Sequence, residues 1–227
     1  MKVRALHSWN LSYREAAALQ KRLAPSVIRR GGPRSPSLVA GADIAYDRGK
    51  DRLFAAVLLF DGESMSVLEE VYASGRSRFP YVPGLLSFRE APLLLRAIGK
   101  LGRTPDLVLF DGQGIAHPRG LGLASHVGLF LDRPSIGCAK SLLVGEHEEP
   151  GSRKGEHADI RHEGRVVGSA VRTRDGVRPV YVSVGHRVGL SQARRLVLRS
   201  CRGYRLPEPT RLAHIAVGRM RRELAAP

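Results

Sequence analysis

Asp43 and Asp111 sit in settings that call for chemistry. Asp43 interrupts the apolar run Val39-Ala40-Gly41-Ala42-Asp43-Ile44-Ala45-Tyr46, and Asp111 closes Leu107-Val108-Leu109-Phe110 just before Gly112-Gln113-Gly114. A carboxylate inside an apolar strand is costly unless it is paired or holds a cation. Ligands of open α/β sheets gather beyond the carboxyl ends of strands, which is where Asp111 is expected. Glu90, early in a helical stretch, adds a third acid. Three carboxylates converging on one cleft suit a hard cation, Mg²⁺ with Mn²⁺ as a substitute, rather than zinc. Toward a phosphodiester, such an ion activates the attacking water and stabilises the leaving oxygen. A helix cap or an ordinary salt bridge is the plainer reading of each acid, and it fits Glu90 near a helix N-terminus.

Lys140 follows the strand-like Ser135-Ile136-Gly137-Cys138-Ala139, so it too belongs at a strand end. There it holds a phosphate or offsets metal-site charge, or it is a solvated loop lysine. His117 lies in a loop close to Asp111 and either contacts a phosphate or base or makes a structural hydrogen bond. His214 sits at the edge of the helical stripe Ala213, Ala216, Val217, Met220 and Leu224, pointing into a cleft or simply half-buried. His147, His157 and His162 lack a ligand spacing and read as surface residues.

Pro80-Tyr81-Val82-Pro83 is a stiff projection, because each proline fixes its own φ and pushes the preceding residue out of the helical region. Tyr81 is thereby held at an exposed tip, and Gly84 permits a sharp turn or the close approach of a ligand. On a strongly basic chain this tip suggests a wedge for nucleic acid. The alternative is a proline-rich loop entering a helix.

The elements that must position these residues are legible from periodicity and punctuation. Ser12 and Glu15 form a capping-box pattern opening a helix to about Leu23, followed by a Gly-, Pro- and Arg-rich loop over 29–37. Strands are expected over Leu38–Tyr46, Arg52–Phe60 and Ser66–Ala73, joined by turn clusters at 47–51 and 61–63. That is an antiparallel meander. Helices and strands then alternate: a helix over Leu85–Leu101, a strand over Asp106–Asp111, a helix over Leu121–Leu131 and a strand over Pro134–Ala139. Arg165–Arg172 and Val177–Val184 form a hairpin about Asp175-Gly176. Two helices close the chain, from Ser191 to about Ser200 and from Pro209 to about Leu224. Polar residues 146–163 read as an exposed insertion. The expected fold class is α/β, a mixed sheet flanked by helices, in a single domain spanning residues 1–227.

Composition agrees with a polyanionic partner. The chain has 37 basic residues against 21 acidic, a formal net charge of +16. Neutralising phosphates releases counterions and drives association. Because 31 of the 37 are arginine, a genome-wide arginine bias is the competing account. Met1 to Trp9 has no apolar core of a secretory signal, and the longest apolar run, Leu53 to Phe60, is far short of the roughly 20 residues of a membrane span. Cys138 and Cys201 make neither a disulfide framework nor a zinc pattern and are expected to be buried thiols in a reducing cytosol. A cytoplasmic monomer without membrane association is the default.

The pieces together resemble the endonuclease V family, the deoxyinosine-directed repair nucleases. The likeness is carried by Gly41 to Tyr46, Pro80 to Glu90, Asp111 to Arg119, Ala139-Lys140-Ser141-Leu142, Pro179 to His186 and Leu206 to Arg211. It spans nearly the whole chain, with 146–163 departing from it. The resemblance implies an RNase H-like fold and Mg²⁺-dependent nicking at the second phosphodiester bond 3′ to a deaminated base. It implies Asp43 and Asp111 as principal metal ligands with Glu90 nearby, and His214 and Lys140 as catalytic-site residues. Pro80, Tyr81, Val82 and Pro83 become a wedge entering the duplex, where unstacking costs a few kcal/mol. Gly84, Leu86, Gly112, Gly114 and Leu143 are candidates for the pocket of the flipped base, and His117 for a DNA contact. DNA containing deoxyinosine is the expected substrate. Cleavage of inosine-containing RNA and non-cutting binding of damaged DNA are the alternatives.

Overall fold

A computed structural model describes residues 3–47 and 51–225, so Arg48, Gly49 and Lys50 of the first expected turn lie outside the described residues. The meander forms as expected: β1 (Leu38–Tyr46), β2 (Arg52–Asp61) and β3 (Val67–Arg76) pair antiparallel in chain order. After α2 (Leu86–Ile98), β4 (Leu107–Phe110) returns to lie parallel beside β1. After α3 (Leu123–Leu131), β5 (Ser135–Ala139) adds parallel to β4. Three further strands, β6 (His157–His162), β7 (Arg165–Val171) and β8 (Val180–His186), complete an eight-stranded sheet ordered β3-β2-β1-β4-β5-β8-β7-β6. A meander joined to parallel strands is the mixed order expected from the sequence, and it fits the RNase H-like fold that the family resemblance implies.

Alternation of side chains along β2 divides the molecule into layers. Leu53, Ala55, Val57 and Leu59 pack with α2 and α3, while Phe54, Ala56, Leu58 and Phe60 pack with α5 (Glu208–Ala225). The N-terminal helix α1 (Tyr13–Leu23) opens with the expected capping box between Ser12 and Glu15. The remaining helix, α4 (Leu190–Arg199), lays Ala193, Leu196 and Val197 on the β5–β8 side of the sheet.

Two expectations need correction. The polar stretch 146–163 is not merely an exposed insertion: its last part is β6, the outer strand of the sheet, paired with β7 from His157↔Val171 to His162↔Arg165. An edge strand buries little, and of these six residues only Ile160 is buried, so no apolar alternation marks it. Glu90 is not in the first turn of its helix, because α2 begins at Leu86. It lies in the second turn and is buried, so the capping account of it falls.

Cys138 and Cys201 are buried free thiols, and burial pushes Cys201 up to about 12. Among the described residues, no helix is long and apolar enough to cross a membrane.

Candidate active site and base pocket

Register assembles the acidic centre. Ala42 of β1 pairs with Phe110 of β4, so the next residues on two parallel strands are Asp43 and Asp111. Neighbouring strands run about 4.8 Å apart, which sets the two carboxylates side by side. Asp43 faces the α5 side of the sheet, as does Gly41 two residues earlier. A Cβ on Gly41 would stand 2.0 Å from the backbone oxygen of Pro209, so glycine is required for α5 to seat its first turn against β1. From that contact, five helical residues advance about 7.5 Å and two strand residues about 6.6 Å. The next meeting is therefore His214 with Asp43, and Nδ1 of the exposed His214 lies 2.7 Å from Asp43 Oδ2.

One ligand atom each from Asp43, Asp111 and His214 falls within 4.8 Å of the others, a set that suits a metal ion. Lys140, one residue past β5, ion-pairs with Asp111 Oδ2. Asp43 is raised by burial and by the Asp111 charge, with the His214 hydrogen bond opposing. Such crowding of negative charge is relieved by a cation. Glu90 stands outside this set. It is buried, accepts a hydrogen bond from the Tyr46 hydroxyl, and is raised to about 8 by burial and by the Asp43 and Asp111 charges. Tyr46 is a residue the sequence reading missed. Its alternation with Asp43 along β1, which turns it to the α2 side, is the signal that could have found it.

A cavity of about 390 Å³ adjoins the acids. Tyr81, Val82, Pro83, Gly84 and Leu86 form one wall, and Asp111, Gly112, His117, Lys140 and Leu143 line the rest. Tyr81 is 69% exposed and Leu143 51%. Of the residues expected in the base pocket, Gly114 falls elsewhere: it packs away from the cavity, its N–H donating to Ser183 Oγ at 2.8 Å. Pro80, expected in the projection, is exposed and stands just outside the lining. A Cβ on Gly114 would sit 2.0 Å from the Val184 oxygen, so close packing against β8 accounts for that glycine. His117 is buried, accepts from the Arg119 N–H at 3.2 Å, and is lowered to about 4 by burial and the Arg119 charge. It both lines the cavity and makes a structural hydrogen bond.

Further residues frame this pocket without a signal in the sequence. Arg119 donates to the Gly84 carbonyl and to Gln20 Oε1 of α1, tying the stem of the projection to the loop after β4. Gly84 itself has a φ of +75°, the left-handed region that favours glycine. Gln113 donates to the Ser141 carbonyl at 3.0 Å and so links the loops after β4 and β5. Arg205 donates to the Lys140 carbonyl at 2.8 Å, fixing the backbone that carries the lysine. His147, His157 and His162 join no ligand cluster among the described residues.

The sequence model of the family Endonuclease V matches residues 11–215 of this chain. Endonuclease V of Gloeobacter violaceus is 52% identical over 213 residues, covering 92% of this chain and 87% of its own. The crystal structure of Endonuclease V from Streptomyces avermitilis is similar at a TM-score of 0.92 and 42% identity, with 100% of both chains covered. A Ciona intestinalis Endonuclease V, solved with a 24mer DNA containing an inosine followed by a ribo-adenosine, shares the fold. Its TM-score is 0.84 at 24% identity, over 93% of this chain and 98% of its own.

Proposed function

The chain belongs to the endonuclease V family, a family of nucleases, and we propose that it nicks deoxyinosine-containing DNA at the second phosphodiester bond 3′ to the lesion. The observation that carries this reading is the adjacency of two sites. The ligand set Asp43, Asp111 and His214 borders a cavity walled by an exposed tyrosine on a proline-braced loop. Inosine-containing DNA in the Ciona relative is the substrate class this arrangement suits.

Tyr81 and its neighbours Pro80, Val82 and Pro83 enter the duplex beside the lesion, and the cavity receives the flipped base. An inosine pair is weak, so extruding it costs least. Gly84, Leu86, Gly112 and Leu143 line that cavity, the glycines offering backbone polar groups to the base edge. Asp43, Asp111 and His214 would hold Mg²⁺, with Mn²⁺ substituting. When bound, the ion supplies a polarised water and stabilises developing charge on the leaving oxygen. Lys140 neutralises part of the Asp111 charge and stands ready to meet the scissile phosphate. His214 orients the Asp43 carboxylate through its hydrogen bond. Glu90 keeps the floor of the site rigid through Tyr46. The active form is a cytoplasmic monomer of one domain.

The test is a nicking assay on a deoxyinosine duplex with Mg²⁺, run beside a matched inosine RNA. Wild-type protein yields one Mg²⁺-dependent product and Asp111→Ala yields none. Undiminished nicking by Asp111→Ala sinks the reading. Cleavage of the RNA alone replaces DNA by RNA as the substrate, a distinction that turns on contacts to the 2′-OH.

A further inference from the structure

A second cavity of about 320 Å³ opens between the N-terminal segment around Trp9, the end of β3 and the outer face of α2. Arg76, Arg78, Arg89 and Arg96 line it over a floor that includes Trp9 and the buried Phe88. The four arginines differ in how their charge is spent. Arg96 donates to the Ser74 carbonyl. Arg89, with 9% of its side chain exposed, donates to the Phe79 carbonyl at 2.9 Å and meets Asp51 at 3.4 Å. Its Nε is buried with no hydrogen-bond partner among the described residues. Arg76 and Arg78 are exposed and make no ion pair among the described residues. Among the described residues, Asp51 is the single carboxylate that ion-pairs with any of them.

Planar guanidinium forks over an aromatic floor suit a phosphate carrying a flat ring. The position of the cavity says whose phosphate. Tyr46 pairs with Leu53 and Leu53 with Gly75, and both Leu53 and Gly75 line the cavity. It therefore lies at the end of the sheet where Tyr46 meets Glu90, with the Arg89 guanidinium 5.4 Å from the Tyr46 ring centroid. Phe79, also in the lining, is two residues from Tyr81. The cavity thus adjoins both the Tyr46–Glu90 pair beneath the acidic centre and the stem of the Tyr81 projection, the side on which the backbone of a strand held by both would continue.

We propose that this cavity is a second nucleic-acid contact, which takes a backbone phosphate and its nucleoside from the bound substrate. The proposal rests on the nucleic-acid reading above but not on cleavage. Trp9 is the only tryptophan of the chain and lines the cavity, so its fluorescence reports on this corner of the molecule. Without divalent cation, an inosine duplex shifts Trp9 emission in the wild type. In the double variant Arg76→Ala/Arg78→Ala, whose two changes touch only exposed side chains, that shift is lost. The slope of log affinity against log salt falls by about one to two, and the nicking rate at saturating DNA is kept. An unchanged salt slope, or a Trp9 response retained by the double variant, overturns the proposal. An equal Trp9 shift with deoxyadenosine monophosphate at substrate-like affinity also overturns it, in favour of a free-nucleotide site. A wild type that gives the Trp9 response but never nicks leaves this contact standing and sinks the catalytic reading.

Discussion

Tyr46 of β1 donates its hydroxyl hydrogen to Oε1 of Glu90 on α2, beneath the acidic centre. The pair closes off a carboxyl that burial and two neighbouring acids have raised to about 8. Tyr46→Phe keeps the ring and leaves a buried acceptor unmade, a loss of about 1–3 kcal/mol. Urea unfolding of the variant reads this directly as a lower midpoint at an unchanged slope.

Cation removal separates chemistry from binding. Chelation is expected to abolish nicking, and Mg²⁺ or Mn²⁺ to restore it. In thermal unfolding at 100 times its dissociation constant, the ion stabilises the wild type by about 2.7 kcal/mol. Asp43→Asn, which removes one charge from the ligand set, is expected to lose most of that gain.

Tyr81→Ala is expected to weaken binding to lesion duplex by about 1–3 kcal/mol, roughly 5- to 150-fold, the range for loss of one base-stacking aromatic. The metal-induced rise in unfolding temperature is kept. Equal affinity of variant and wild type for a deoxyinosine duplex removes the wedge from the account.

Arg119 acts through the loop rather than on the substrate, since its guanidinium is bonded to Gly84 and Gln20. Arg119→Ala is expected to raise KM for lesion DNA more than it lowers kcat. Arg119→Lys recovers only part, because one ammonium cannot reproduce the fork. A purely structural role would instead lower stability and leave KM unchanged.

His126 is wholly buried, hydrogen-bonded to Ser87 at 2.9 Å and to His7 at 2.8 Å, and burial lowers it from 6.5 to about 3. The unfolded chain takes up this proton first, so stability is complete above pH 6.5 and is lost as pH falls toward 3. The slope reaches about 1.4 kcal/mol per pH unit for the one group. His126→Gln is destabilised at pH 7.5, and its gap from the wild type narrows at pH 5. Denaturation midpoints at the two pH values check the sign.

The sequence by itself determined the α/β class, the meander followed by parallel strands, and the two carboxylates that apolar strands would not otherwise carry. It also determined the exposed Tyr81, since two prolines dictate local backbone whatever surrounds them. These features are local: period, punctuation and the cost of a buried charge are written in neighbouring residues. Tertiary structure alone decided which acids meet. The pairing of Ala42 with Phe110 sets Asp43 beside Asp111, and the seating of Pro209 on Gly41 delivers His214 to the same point. The side of β1 on which Tyr46 lies draws Glu90 away from that set. β6 escaped notice for the same reason in reverse, because an edge strand needs a partner more than an apolar pattern. Register and close backbone contact join residues far apart in the chain, and nothing in their own neighbourhoods records the distance between them.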